Sequence, residues 1–341
     1  MCHLLPVSRP WAWYTRLGVI VNLGARSGRL LDAMVHVEGV GKRFGQVQAV
    51  RDLSFSVRRG EVVGFIGPNG AGKTTTIRLI SAVLRPDAGS IKVNGFDVRT
   101  DGDQVRASIG VLTEGAGLYP NLSGLDNLRF FAELYGVDDP RRPEALLGAM
   151  GLAAHAHRRA GTYSTGMKKR LGLARALIHR PPVLLLDEST AGLDPEGITM
   201  VLKEVRRLSR EEGVTVVLCS HILHQLEMVC DTYVIVDAGR SLAQGTLAEL
   251  VRDYVRQRVV ELETDLSLER AHEIAARFHA RLVAPSGASR SKLSFTVDRP
   301  DDVPEIIAAA SSAGRVYSAV RVGEDLQSVY FRVMEARASE A

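Results

Sequence analysis

The sequence predicts an α/β fold, in which a sheet of mainly parallel strands carries helices on its faces, followed by a small α+β domain. Short apolar runs at residues 61–66, 183–186 and 214–220 are typical of strands that are buried on both faces. The segments between them show helical spacing of apolar side chains, as in the stripe from residue 125 to 135. Strands that alternate with helices favour parallel pairing, because each intervening helix can provide the crossover that connects two parallel strands.

The length of 341 residues suits one large and one small domain. We expect the large domain at residues 34–252, with a mostly helical subdomain at about 101–180, and the small domain at 253–341. Residues 1–33 are faintly apolar but have no clean cleavage site for a signal peptide. Met34 stands directly before a strand-like run, so we expect residues 1–33 to be either untranslated or a disordered arm.

Composition argues against several classes of function. Lys and Arg number 43 and Asp and Glu 39, a small and dispersed excess that gives little support to a nucleic-acid partner. The three cysteines have no metal-ligand spacing, so free thiols are expected. No apolar run approaches the roughly 18 to 20 residues that span a bilayer. If the protein works at a membrane, another chain must supply the spanning helices.

A glycine-rich turn at residues 67–74 fits the pattern G-x-x-x-x-G-K-[ST] and lies between a strand and a helix predicted at about 72–84. Its glycines let backbone N–H groups point inward at phosphate oxygens, and the helix start adds a positive dipole end. Lys73 is placed to reach the β and γ phosphates, and Thr74 is placed to ligate Mg²⁺. The alternative is a glycine-rich turn that matches the pattern by chance, and the strand before it and the helix after it argue against that alternative. The candidate nucleotide-binding residues here are Gly67, Pro68, Asn69, Gly70, Ala71, Gly72, Lys73, Thr74 and Thr75.

A second cluster follows the apolar run 183–186, which ends in two carboxylates, Asp187 and Glu188. At the carboxyl end of a parallel strand both side chains can face the phosphate site. Asp187 suits Mg²⁺, directly or through water, and Glu188 suits polarising the attacking water. A solvated strand end is the alternative. The phosphate loop upstream favours the functional interpretation.

Four further motifs resemble those of the ATP-binding-cassette (ABC) ATPases. Residues 163–167, Tyr-Ser-Thr-Gly-Met, resemble the family's signature motif L-S-G-G-Q, and residues 191–194, Ala-Gly-Leu-Asp, look like its D-loop. His221 follows an apolar strand as the switch histidine of the family does, and Phe44 sits where the family places an aromatic ring that stacks on adenine. The resemblance covers about residues 35–250. It implies a P-loop NTPase fold with a mixed sheet and a helical subdomain.

The resemblance also implies a mechanism with ATP and Mg²⁺ as cofactors. Two copies, or two paired ATPase subunits, would meet head to tail, with each ATP between the phosphate loop of one and the signature helix of the other. Ser164 and Gly166 would contact the γ-phosphate of the partner's ATP, and Asp194 would lie at the seam. His221 would hold Glu188 and the water in register, and Lys73 would act with them in catalysis.

Two motifs depart from the family pattern, and in the signature Met167 replaces the glutamine. Glu114 stands where many members carry a glutamine, and it brings a negative charge near the phosphates, which leaves its contact with the metal open. Thr165 replaces the first glycine of the signature and adds bulk where backbone should approach phosphate.

Some of these segments resemble exporter ATPases of the ABC-2 type. They are residues 118–123, Leu-Tyr-Pro-Asn-Leu-Ser, residues 168–171 after the signature, and the tail around 325–331. Members commonly pair with a separate six-helix membrane permease, and their cargoes include drugs, antibiotics, lipids, polysaccharides and ions. The resemblance implies an ATP-hydrolysing subunit at the cytoplasmic face of the cell membrane, with residues 114–127 facing the permease. Two alternatives stay open, an importer ATPase with a regulatory tail and an ABC protein outside transport.

Overall fold

A computed structural model of the protein describes residues 33–113, 115–283, 291–299 and 301–340 and contains three sheets. The strands are β1 (Ala33–Phe44), β2 (Val47–Arg58), β3 (Val62–Ile66), β4 (Ala88–Val93), β5 (Phe96–Asp97), β6 (Ile109–Leu112), β7 (Val183–Asp187), β8 (Thr215–Cys219), β9 (Thr232–Asp237), β10 (Arg240–Gly245), β11 (Arg258–Thr264), β12 (Arg281–Val283), β13 (Ser291–Val297) and β14 (Val316–Val322). The helices are α1 (Lys73–Ile80), α2 (Gly102–Ala107), α3 (Gly124–Leu134), α4 (Arg142–Ala149), α5 (Thr165–Ala176), α6 (Pro195–Glu212), α7 (Leu223–Val229), α8 (Leu247–Tyr254), α9 (Leu268–Arg277), α10 (Asp302–Ala313) and α11 (Leu326–Glu340).

The central sheet has the strand order β10-β9-β3-β8-β7-β6. All pairs are parallel except β10 with β9, so the sheet is mixed, as the sequence predicted. Every residue of β3, β7 and β8 is buried, because helices or a second sheet cover both faces. Cys219 pairs with both Phe65 and Asp187, so the carboxyl ends of these three strands meet at one edge.

A second, antiparallel sheet has the order β2-β1-β4-β5 and packs on the central sheet through an apolar cluster. Phe55 of β2 and Phe65 of β3 meet there with ring centroids 5.3 Å apart. Phe44 lies at the end of β1, where it pairs with Val47, and its ring is 46% exposed.

The segment at about 101–180 is not helical throughout. Four of its residues form β6, which pairs with β7, a long-range contact that local periodicity cannot show. Helix α3 begins directly after Ser123, whose hydroxyl accepts a hydrogen bond from the Asp126 amide. Helix α1 is shorter than predicted and ends at Ile80, after which Ala82 has a positive φ of 53°.

The predicted α+β tail has the element order β11-α9-β12-β13-α10-β14 and the strand order β12-β13-β11-β14. This is the ferredoxin-like split-βαβ arrangement, with a hydrophobic core of its own. The last helix, α11, leaves that core. Its buried side chains Leu326, Val329 and Val333 belong instead to the core that the central sheet shares with α5 and α6. The Leu326 amide also donates to Glu227 of α7, 3.5 Å away.

In the part of the chain that the structure describes, no helix is long and apolar enough to cross a membrane. Cys219 and Cys230 are free and buried, as predicted, and burial raises the pKa of both thiols. Cys2 and the predicted N-terminal arm, apart from Ala33, lie outside the described residues.

Candidate active site

The site lies where the carboxyl ends of β3, β7 and β8 meet. The glycine-rich turn follows β3, Asp187 and Glu188 lie at the end of β7, and His221 follows β8. Residues separated by more than a hundred positions therefore share one sheet edge, as the sequence analysis predicted.

The glycines of the turn are required by its geometry. A Cβ atom on Gly67 would lie 2.3 Å from the carbonyl oxygen of Val236, and one on Gly72 would lie 2.6 Å from that of Ala49. Gly70 and Gly72 have φ values of 82° and 96°, a region that residues with a side chain rarely adopt. The curled backbone that the pattern predicted is present, and no larger residue would permit it at these positions.

Lys73 and Thr74 open α1 directly after the turn. The Lys73 ammonium donates to the carbonyl oxygens of Gly67 at 2.7 Å and Pro68 at 3.0 Å, so it lies inside the loop that it closes. Its side chain is only 9% exposed. The Thr74 hydroxyl donates to Asp187 Oδ2 at 3.0 Å, which joins the phosphate loop to the end of β7.

The pair formed by Thr74 and Asp187 fits a magnesium ion. A hydroxyl and a carboxylate oxygen are hard donors of the kind that Mg²⁺ prefers, and they already lie side by side. The Asp187 side chain is 5% exposed, so a bound cation would offset the cost of burying its charge.

Glu188 has an unusual backbone. Its φ is 51°, a left-handed conformation that costs a residue with a side chain about 1–3 kcal/mol and persists only where the surroundings impose it. The Glu188 amide donates to the carbonyl of Cys219 at 3.0 Å. Its carboxylate Oε2 lies 2.9 Å from His221 Nδ1. The imidazole is 62% exposed and the carboxylate 24%, so substrate can reach both.

These groups border a cavity of about 600 Å³. Its lining residues are Ile66, Gly67, Pro68, Asn69, Glu188, Ala191, His221, Leu223 and Tyr330. Tyr330 comes from α11, and the sequence analysis did not assign it to the site. No local signal could have done so, since its position depends on how the C-terminal helix packs. Partial burial raises the pKa of its hydroxyl.

Other predicted residues lie elsewhere on the molecule. Ser164 is exposed at the start of α5, where its hydroxyl accepts from the Met167 amide at 3.2 Å. Asp194 caps α6 by accepting from the Gly197 amide at 3.1 Å. Neither these two nor Gly166 and Phe44 are among the residues that line the described cavity. Glu114 lies outside the described residues.

Lys169 is a second residue near the site that sequence reasoning missed. It lies on α5, is 5% exposed, and donates from Nζ to the backbone carbonyl of Glu188 at 3.1 Å. Its position in the signature helix could have drawn attention to it, but its contact depends on how α5 packs against β7.

Comparison with known proteins agrees with this geometry. The family described as ABC transporter matches residues 50–191. The chain is 38% identical to the daunorubicin resistance ATP-binding protein DrrA3 of Streptomyces coeruleorubidus, over 84% of this chain and 90% of that one. It is 37% identical to the Nod factor export ATP-binding protein I of Ralstonia nicotianae, over 68% of this chain and 73% of that one.

Among solved structures, an ATP-binding subunit of an ABC transporter superposes with a TM-score of 0.61 at 31% identity. The match covers 65% of this chain and 93% of that one. ATP-binding subunits of this kind dimerise and work with separate membrane permease components. The phosphate loop, the acidic strand end and these relatives together establish that the chain belongs to the ATP-binding proteins of ABC transporters and hydrolyses ATP.

Proposed function

We propose that this chain is the ATPase subunit of an exporter, which forms a homodimer around two Mg-ATP and drives a separate membrane permease. The observation that carries the proposal is that the predicted ATP-binding residues do not all line one cavity within a single subunit. Part of the phosphate loop lines one cavity with Glu188 and His221, whereas Ser164 is exposed and is not among the residues that line it. A second copy can supply its own Ser164 to complete the site.

Within one subunit, Glu188 accepts a proton from the attacking water, and His221 orients the carboxylate through the bond at 2.9 Å. Lys73 would exchange its carbonyl partners for β and γ phosphate oxygens, a stronger charge-assisted interaction. Thr74 and Asp187 would hold the Mg²⁺ ion, which when bound neutralises charge on the phosphate oxygens. Tyr330 of α11 forms part of the cavity wall.

Across the dimer, the hydroxyl of Ser164 and the first amides of α5 would face the γ-phosphate of the partner's ATP. A helix N-terminus favours an anion at that position. Gly166 has no side chain and so leaves room for the partner's γ-phosphate. The loop that precedes Asp194 packs against Gly166, since a Cβ atom on Gly166 would lie 3.4 Å from the Leu193 side chain. Phe44, exposed at the end of β1, would stack on adenine.

The proposed permease surface is formed by residues 114–127, of which the structure describes 115–127. Tyr119 and Phe130 are 47% and 39% exposed, and their rings meet edge to face with centroids 4.9 Å apart. Aromatic side chains of this kind are enriched at protein interfaces. A nearby cleft of about 530 Å³ is lined by residues 115–118 together with Pro120, Ala160, Thr165, Lys168 and Lys169. Docking here would place the subunit at the cytoplasmic face of the membrane.

Export rather than import is favoured by the two relatives, one described as a resistance protein and one as an export protein. Co-expression with a candidate six-helix permease tests the proposal. We expect the chain to enter the membrane fraction only with that permease, and inverted vesicles to accumulate daunorubicin when ATP is added. Recovery in the cytosolic fraction regardless of the permease, with no stimulation of ATPase activity, would overturn the proposal.

A further inference from the structure

Helix α5 contacts the acidic end of β7 through a buried lysine, Lys169. Lys169 carries a charge at a position that is 5% exposed, on the wall of the cleft described above. A buried ammonium is costly unless a polar group accepts its protons. One acceptor is the backbone carbonyl of Glu188, 3.1 Å from Nζ. The bond therefore reaches the main chain of the residue that carries the proposed general base.

The backbone of Glu188 is held at several points. Its amide donates to Cys219, and its carbonyl accepts from the Ala191 amide at 3.2 Å as well as from Lys169. These bonds act on a residue whose φ of 51° is unfavourable for a side-chain-bearing residue. The direction of the carboxylate follows from that φ, because the left-handed backbone sets where the Cβ points. A donor that stabilises this backbone therefore aims the side chain.

The same helix begins at the signature serine. Ser164 caps α5, and Lys169 lies on the helix body at the side that faces β7. In the proposed dimer, the start of α5 would touch the partner's ATP, while Lys169 holds the backbone carbonyl of Glu188, whose carboxylate acts on the ATP of the same subunit. One rigid helix would thus connect the two nucleotide sites.

We propose that Lys169 is a positioning residue for ATP hydrolysis, which aims Glu188 by holding its backbone carbonyl. This inference rests on the proposed catalytic role of Glu188. Lys169 does not itself contact ATP. Its removal misdirects the carboxylate but leaves the phosphate loop intact, so turnover falls while nucleotide affinity is kept.

The test compares Lys169→Met, which removes the donor, with Lys169→Arg, which keeps one. Lys203→Met on the exposed face of α6 is the matched control for loss of a lysine. Steady-state ATPase assays give kcat and KM, calorimetry gives the Kd for Mg-ATP, and all assays run below the melting temperature of each variant. We expect kcat of Lys169→Met to fall about 10- to 100-fold, the effect of a small misplacement of a reacting group. KM and Kd should change less than about threefold, and Lys169→Arg should recover most of the rate.

A parental kcat in folded Lys169→Met overturns the inference. An effect that appears in KM and Kd rather than in kcat also overturns it, because it indicates a merely structural lysine. So does a failure of Lys169→Arg to recover the rate. If Lys169→Met does not fold, Lys169→Ala, which also removes the donor, carries the test. A reduced kcat at unchanged KM then supports the inference and a parental kcat overturns it. Glu188→Gln is assayed in parallel: parental turnover there overturns the proposed role of Glu188, whereas slow Glu188→Gln with fast Lys169→Met overturns only the inference about Lys169.

Discussion

The substitution Glu188→Gln isolates the chemical step from binding. Gln has nearly the same shape as Glu, so the cavity wall is kept and His221 Nδ1, now 2.9 Å from the carboxylate, retains a partner. What disappears is the negative oxygen that accepts the proton of water. Lys73 and Thr74 bond to the loop carbonyls and to Asp187 rather than to Glu188, so the phosphate contacts stay unchanged.

The expected size of the effect follows from general-base catalysis, which contributes about 10²–10⁴-fold to rate. At about 1.36 kcal/mol for each factor of ten, the barrier rises by roughly 2.7–5.5 kcal/mol. Affinity for Mg-ATP should stay within about threefold, since the charge-assisted bonds to phosphate are kept. Because bound ATP is no longer consumed, the dimer should persist.

Phosphate release at saturating Mg-ATP measures the rate, calorimetry measures affinity, and light scattering measures the mass of the complex. Glu211→Gln, at a glutamate that is 68% exposed on α6, is the control for loss of a carboxylate. Parental turnover by Glu188→Gln would show that another group activates the water. A slow variant that stays monomeric with Mg-ATP would contradict the head-to-tail arrangement.

Three further outcomes are expected. Lys73→Ala should weaken binding of Mg-ATP roughly 10- to 150-fold, the equivalent of losing about 1.5–3 kcal/mol of charge-assisted bonding, and an unchanged Kd by calorimetry would contradict the loop assignment. Leu326→Ala, at a fully buried position of α11, should lower the free energy of unfolding by about 2–5 kcal/mol. Leu268→Ala on α9, which is 51% exposed, should change it by about 0.5 kcal/mol, and equal urea midpoints would show that α11 is not anchored to the core. Desolvation lowers the pKa of His179 below 6.5 in the folded state, so the unfolded chain takes up a proton first as the pH falls. The stability that this group confers is complete above about pH 6.5 and is lost below it. The slope of the urea midpoint against pH between about 5 and 7.5 should therefore be smaller in His179→Gln, and identical slopes would refute the reasoning.

Much of the site could be predicted from local pattern, because each part of it is contiguous in the chain. In this chain the phosphate loop needs its glycines, since a Cβ at Gly67 or Gly72 would collide with backbone. Asp187 and Glu188 end a run of buried residues, and strand ends of a parallel sheet meet at one edge. The roles of these residues stay predictions until the substitutions are made.

By itself, the sequence determined the α/β class, the phosphate loop and the carboxylates, because the spacing of apolar residues and the positions of the glycines can be read within a few neighbouring residues. Only the tertiary structure decided that β6 joins the central sheet, that α11 returns to bring Tyr330 to the cavity, and that Lys169 reaches the carbonyl of Glu188. Each of these depends on two segments distant in the chain packing together. The free energy of that packing comes from the whole buried surface, and no local pattern records it.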